Sequence, residues 1–196
     1  LLKAYDFWKE DLLEHIEGMF SFVIHDPIKN NIFFARDRAG EKPLFYLHNK
    51  KSFYICSEIK PIYKDSGKKG LSIDGLNHFF ENGFTSKDIS MIDGIKKLKP
   101  GHQAMLNINT LKLDIRRYWK LEKQIIKPIK NIEKQNNYYI DKLELLLGNA
   151  VKKQLIADVP VGMMLSGGVD SSLIVATASK HFDKLNTFTV TFPDLQ

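Results

Sequence analysis

The amino-acid sequence predicts a chain in two parts: a layered antiparallel α+β unit, then an α/β unit built on a parallel sheet. Three observations carry this. Up to Trp119, short apolar runs rich in aromatic and β-branched residues alternate with polar turns, the pattern of antiparallel strands. After residue 136 the apolar period lengthens to that of a helix. That helix is followed by a strand, a glycine-rich turn, a helix and a strand, the order of a βαβ unit on a parallel sheet.

The first helix is expected over Phe7 to Ile16, where Phe7, Trp8, Leu12, Leu13 and Ile16 recur at helical spacing, with Gly18 as its C-terminal stop. Met19 to Ile24 is almost continuously apolar and reads as a strand buried on both faces. The turn Asp26 to Asn31 leads to a returning strand, Ile32 to Ala35. After the loop Arg36 to Pro43, Leu44 to Leu47 and Ser52 to Ser57 form two more strands around a polar turn. These four runs are expected to form one antiparallel meander, and their two-faced burial requires a second layer. Helices are expected over Glu58 to Lys64 and over Ile73 to Glu81, the latter capped by Ser72. Pro100-Gly101 opens a hairpin with strands His102 to Ile108 and Leu113 to Trp119.

Residues 120–136 are lysine-rich, contain Pro128 and show no apolar period. The chain is therefore divided into 1–121, a linker at 122–136, and 137–196. In the last part Tyr139, Leu143, Leu146, Leu147, Ala150, Val151 and Leu155 form one stripe, expected to face a core. The parallel sheet is expected to start near Val159.

Composition narrows the function classes. The 196 residues are 43% hydrophobic and 27% charged, as in a globular protein rather than a disordered one. The net charge of +6 is accounted for by a lysine-rich surface. Cys56 is the single cysteine, which excludes an internal disulfide framework and a cysteine-based zinc ribbon. No apolar run has the length of a membrane span, and no leader pattern appears, so a cytoplasmic setting and no membrane partner are expected. Histidines stand at 15, 25, 48, 78, 102 and 181, with no pair at the i, i+4 spacing of a helical metal site.

The chemistry is concentrated in Ser166-Gly167-Gly168-Val169-Asp170-Ser171, between a strand and a helix. Two adjacent glycines let backbone approach an anion without an intervening Cβ. The helix start offers free N–H groups and a favourable dipole. Ser166 and Ser171 can add hydroxyl donors, and Asp170 can cap the helix or hold a phosphate-bound magnesium ion. The string lacks the Gly-Lys-Ser/Thr ending of the Walker loop. The alternative for a bare Ser-Gly-Gly is a tight turn serving geometry alone.

The hexapeptide resembles the pyrophosphate loop of the N-type ATP pyrophosphatases. With Asp158-Val159-Pro160-Val161-Gly162 and Leu165 before it, the segment looks like the start of the synthetase domain of glutamine-hydrolysing asparagine synthetases. Glu17 to Phe22, Ala35 to Leu44 and Ser57 to Lys60 resemble the C-terminal half of a class II glutamine amidotransferase domain. Leu98 to His102 and Arg116 to Trp119 resemble the segment joining the two. The fold class implied is an amidotransferase domain, C-terminal part, followed by an ATP pyrophosphatase domain, N-terminal part.

The resemblance implies ATP binding by Leu165, Ser166, Gly167, Gly168, Asp170, Ser171 and Val190, with Asp170 toward Mg2+. For Val190 the alternative is a plain core valine. It implies glutamine, aspartate and ATP as substrates of the full-length enzyme: aspartate is adenylated with release of pyrophosphate, then amidated by ammonia from glutamine. The chain is expected to be an internal fragment, inactive alone, because the family's N-terminal cysteine nucleophile would precede Leu1; no catalytic residue is assigned within it. Cys56 sits inside a strand and is expected to be a structural thiol, and Arg36, Asp37 and Arg38 an ion-paired turn. A homodimer is left open. Three rivals remain: a related amidotransferase or lactam-forming synthetase acting on another carboxylate, a tRNA-modifying pyrophosphatase-loop enzyme, and a non-enzymatic binding module. Against the second, the eight lysines and four acids of residues 120–153 do not alternate with aromatics as a nucleic-acid platform would.

Overall fold

The computed structural model describes residues 1–67, 70–85, 88–121, 132–182 and 184–191. It divides into two compact units, Leu1–Lys123 and Gln124–Gln196. The linker expected at 122–136 has its residues 122–131 outside the described set.

In chain order the first unit contains α1 (Leu2–Trp8), a 3₁₀ turn (Lys9–Asp11), α2 (Leu12–His15), β1 (Ser21–Asp26), β2 (Asn31–Arg36), β3 (Phe45–His48), β4 (Phe53–Cys56), α3 (Ile59–Ser66), α4 (Ile73–Asn82), β5 (Ile95–Lys97), β6 (His102–Asn107) and β7 (Leu113–Arg117). The strands form two antiparallel sheets, ordered β1-β2-β6-β7 and β4-β3-β5.

Strand alternation builds the layers. On β2, Phe33 joins Tyr5, Leu12, Leu13, Ile24 and Ala35 in a core under the N-terminal helices. Its neighbour Phe34 points the other way, to Leu44, Leu98, Ala104 and Leu106, where Phe53 and Ile55 pack. A third cluster, Leu47, Ile62 and Ile95, seats α3 on the second sheet. The order is helix, sheet, sheet, helix, which buries β2 on both faces. The expected two-faced burial of Met19 to Ile24 does not hold: Met19 and Val23 are exposed and only Ile24 is buried, because this strand lies at the edge of its sheet.

The structure corrects several expectations. The four-strand meander does not form. Its first two strands pair with each other and its last two with each other, but the pairs lie in different sheets. Asp37 to Pro43 carries the chain from one sheet to the other, and the second strand instead takes the distant β6 as its other neighbour, with Phe33 opposite Met105. The expected helix at Phe7 to Ile16 is broken at Lys9, whose φ is 52°. Its apolar spacing serves two short helices; Leu12 and Leu13 are buried while Phe7 stays exposed. Ser72 does cap α4, its hydroxyl accepting from the Gly75 N–H at 3.0 Å.

The second unit contains α5 (Ile132–Gln154), β8 (Gly162–Met164), α6 (Val169–Ser179) and β9 (Asn186–Phe188). β8 and β9 pair in parallel, with Met163 opposite Thr187. Val151, Leu155 and Ala178 form its core, with Leu147, Val161, Met163, Ile174 and Leu185 against them. Only the C-terminal end of the expected α5 stripe reaches this core; Leu143 and Leu146 are exposed. The first parallel strand begins at Gly162 rather than near Val159, because Pro160 has no N–H to give a ladder.

Candidate nucleotide-phosphate site

The Ser-Gly-Gly turn leaves β8 through Leu165 and enters α6 at Val169. Gly167 has φ +81°, a left-handed conformation that an L side chain adopts only at a cost. That one residue reverses the chain tightly enough to bring Ser166 back over the helix start. The Ser166 and Ser171 hydroxyl oxygens then lie 3.0 Å apart, and the Ser171 hydroxyl also reaches the Gly168 carbonyl at 3.1 Å.

Gly168 is the N-cap of α6 and contributes no capping side chain. The N–H groups of Val169, Asp170 and Ser171 are the orphan donors of the first turn. A Cβ placed on Gly168 would sit 3.5 Å from the Ser166 Oγ and 3.9 Å from the Ser171 Oγ. The glycine thus leaves the helix start free of a side chain beside the two hydroxyls. This donor set fits a phosphate or pyrophosphate group. Asp170 lies exposed in the first turn of α6 and makes no side-chain cap, so capping does not occupy it. A lone carboxylate of this kind fits a hard cation that shares phosphate oxygens. No group of three or more His, Cys, Asp or Glu that could hold a metal ion gathers among the described residues.

Leu165 is tied to the strand that leads to Val190. The Leu165 N–H donates to the Phe188 carbonyl at 2.8 Å, and the Thr189 hydroxyl donates to the Leu165 carbonyl at 2.7 Å. Val190 follows directly and is 65% exposed. All seven residues from the sequence therefore lie on one edge of the second unit, around the end of β8. Sequence reading passed over Thr189, since a hydroxyl that ties positions 165 and 189 leaves no local signature.

The first unit holds the other singled-out residues. Asp37 is buried, and its two carboxylate oxygens accept from the Glu41 and Lys42 N–H groups, each at 2.9 Å. Burial pushes this carboxyl up, but backbone donors from Lys42, Glu41, Gly40 and Phe20 outweigh it and hold it below its ordinary value. Arg36 donates to the carbonyls of Lys42 at 2.7 Å, Leu98 at 2.8 Å and Gly40 at 2.5 Å. Arg38 donates to Ile16 O at 3.0 Å. The turn is thus built on backbone hydrogen bonds, not on the expected ion pair. The Tyr118 hydroxyl donates to Arg36 O at 2.9 Å, and burial pushes its phenol up to about 12. Cys56 is half-buried in β4 against the Leu47, Ile62 and Ile95 cluster, a packing position.

An antiparallel two-sheet unit followed by a strand–loop–helix–strand unit with a glycine turn at the helix start defines a chain that joins two domain types. Residues 1–119 match the family described as glutamine amidotransferase domain, and residues 142–196 match asparagine synthase. The chain belongs to the glutamine amidotransferase domain family, in the form that continues into asparagine synthase. It is 36% identical over 204 residues to asparagine synthetase [glutamine-hydrolyzing] 3 of Bacillus subtilis (strain 168), covering 99% of this chain and 31% of that protein. A putative asparagine synthetase [glutamine-hydrolyzing] 2 of Methanocaldococcus jannaschii is 34% identical over 197 residues, covering 98% and 37%. A putative asparagine synthetase [glutamine-hydrolyzing] of Mycobacterium tuberculosis (strain ATCC 25618 / H37Rv) is 31% identical over 196 residues, covering 98% and 30%. The chain spans about a third of the length of these curated relatives.

These matches correct the fold-class expectation. It described the amidotransferase part as C-terminal and the ATP pyrophosphatase part as N-terminal, meaning the end of each parent domain. Along this chain the terms fall the other way: the amidotransferase match occupies the N-terminal residues 1–119, and the synthetase match follows it. The cores agree with this order, since the three clusters of the two-sheet unit all close before Trp119.

Proposed function

We propose that this chain is part of an ATP-dependent, glutamine-hydrolysing asparagine synthetase. The observation that carries the reading is the glycine turn with two hydroxyls at a helix start, Ser166–Ser171, in a segment matched by asparagine synthase and preceded by a glutamine amidotransferase domain. In the whole protein, ammonia released from glutamine would be used by the second domain. There the β-carboxylate of aspartate attacks the α-phosphorus of ATP, pyrophosphate leaves, and ammonia displaces AMP to form the amide.

The residues of this chain serve the leaving group. The N–H groups at the start of α6 and the hydroxyls of Ser166 and Ser171 donate to pyrophosphate oxygens, where negative charge grows as the bond to the α-phosphate breaks. Gly167 sets the turn and Gly168 leaves room for the anion. Leu165 and Val190 offer apolar contact beside the loop for the nucleoside. Mg2+, held through Asp170 and the phosphates, would supply charge neutralisation when bound.

The test is pyrophosphate release from ATP by the full-length protein with aspartate and glutamine present. Aspartate-dependent release together with asparagine formation is the expected result. Release that requires a different carboxylic acid would move the protein to a related amide- or lactam-forming synthetase, and no release with any acid would overturn the reading.

A further inference from the structure

We infer that Thr189 is a positioning residue for the nucleotide loop; this rests on the nucleotide reading above. In a parallel ladder a residue donates its N–H to one neighbour of its partner and accepts, through its carbonyl, from the N–H of the other. Leu165 stands opposite Thr189 in the register that continues Met164 opposite Phe188. Its N–H follows the rule and donates to Phe188 O at 2.8 Å. By the same rule its carbonyl would accept from the Val190 N–H. Instead it accepts from the Thr189 hydroxyl at 2.7 Å.

The substitution of a side chain for a backbone donor has two consequences at the site. It keeps the Leu165 carbonyl satisfied at the point where β8 ends, which anchors the peptide that leads into Ser166. It also leaves the Val190 N–H without its ladder bond to the Leu165 carbonyl. One hydroxyl thereby anchors the entry to the Ser-Gly-Gly turn from the neighbouring strand. Thr189 does not itself need to touch the nucleotide.

The experiment uses the full-length protein with three forms: unchanged, Thr189→Val and Thr189→Ser. Valine keeps the branched shape and strand preference but lacks the hydroxyl; serine keeps the hydroxyl. Titration with ATP is read beside amide hydrogen exchange over Leu165 to Gly168 and the thermal unfolding midpoint. Thr189→Val is expected to bind ATP about fivefold more weakly and to exchange about fivefold faster over that segment, the size of one lost hydrogen bond. Thr189→Ser restores both, and the unfolding midpoint stays close to that of the unchanged protein in each case. ATP binding by the unchanged protein with no difference in Thr189→Val overturns the role of Thr189 and leaves the nucleotide reading standing. Weakening by valine that serine fails to restore also overturns it, since the hydroxyl is then not the agent. Absence of ATP binding in the unchanged protein overturns the nucleotide reading and this inference with it.

Discussion

Replacing Asp37 with asparagine tests a buried carboxylate that holds the turn of the first unit. The carboxylate is buried and accepts two backbone N–H bonds of 2.9 Å, from Glu41 and Lys42. Asparagine keeps one acceptor oxygen. Its NH2 group must then face one of those N–H donors, so one charge-assisted bond is lost and two donors oppose each other. A hydrogen bond to a charged group contributes about 1.5–3 kcal/mol, and a buried unsatisfied donor costs about 1–3 kcal/mol. With partial relaxation of the loop, Asp37→Asn should destabilise the unit by about 2–4 kcal/mol at pH 7.

The pH dependence gives a second handle on the same group. The folded-state pKa of Asp37 is lowered relative to its ordinary value. Its contribution is therefore fully present above the unfolded-state value near 4 and is lost as pH falls through the lower folded-state value. The assay is urea denaturation followed by the fluorescence of Trp8 and Trp119, both in this unit. The gap between the unchanged chain and Asp37→Asn should be full at pH 7 and narrow as pH falls below about 4. A gap below about 0.5 kcal/mol at pH 7, or one that does not change with pH, would refute the reasoning.

Three further outcomes are expected. Gly40 has φ +73°, and a Cβ on it would stand 2.6 Å from Pro100 Cγ, so Gly40→Ala should cost about 2–3 kcal/mol of stability, read by thermal unfolding; an unchanged midpoint would contradict it. Gly168→Val should remove most ATP affinity while leaving the fold intact, because its backbone conformation is ordinary and the added side chain stands at the helix start beside the Ser166 and Ser171 hydroxyls; calorimetric titration with unchanged affinity would remove the loop from the site. Tyr118 should ionise only near pH 12 in ultraviolet titration of the folded chain, and Tyr118→Phe, which removes the bond to Arg36 O, should cost about 1 kcal/mol.

What the sequence made legible was whatever depends on near neighbours. The strands announce themselves because Phe33 and Phe34 sit in a short β-rich run between turns, and the turn at Asp26 is built by its own carboxylate, which accepts from Ile28 and Lys29. The Ser-Gly-Gly turn is legible for the same reason: the residues that shape it lie within six positions of one another. Sheet membership is different in kind. Nothing in Asn31 to Arg36 indicates that its second neighbour is His102 to Asn107, some seventy residues on, and adjacency in sequence favours the meander that does not form.

The same distinction separates the parts of the nucleotide edge. Glycine at 167 follows from the local need for a left-handed turn, and glycine at 168 from the space an anion requires, so both can be read from the string itself. The hydroxyl of Thr189 acts on a carbonyl 24 residues away, through a strand pairing that exists only after α6 has folded back to bring β9 beside β8. The loop can thus be recognised before folding, but the element that would hold it in place is defined only by the closed parallel pair. Comparing Thr189→Val with Gly168→Val separates these two contributions, because valine at 168 fills the site whereas valine at 189 leaves it open and releases its anchor.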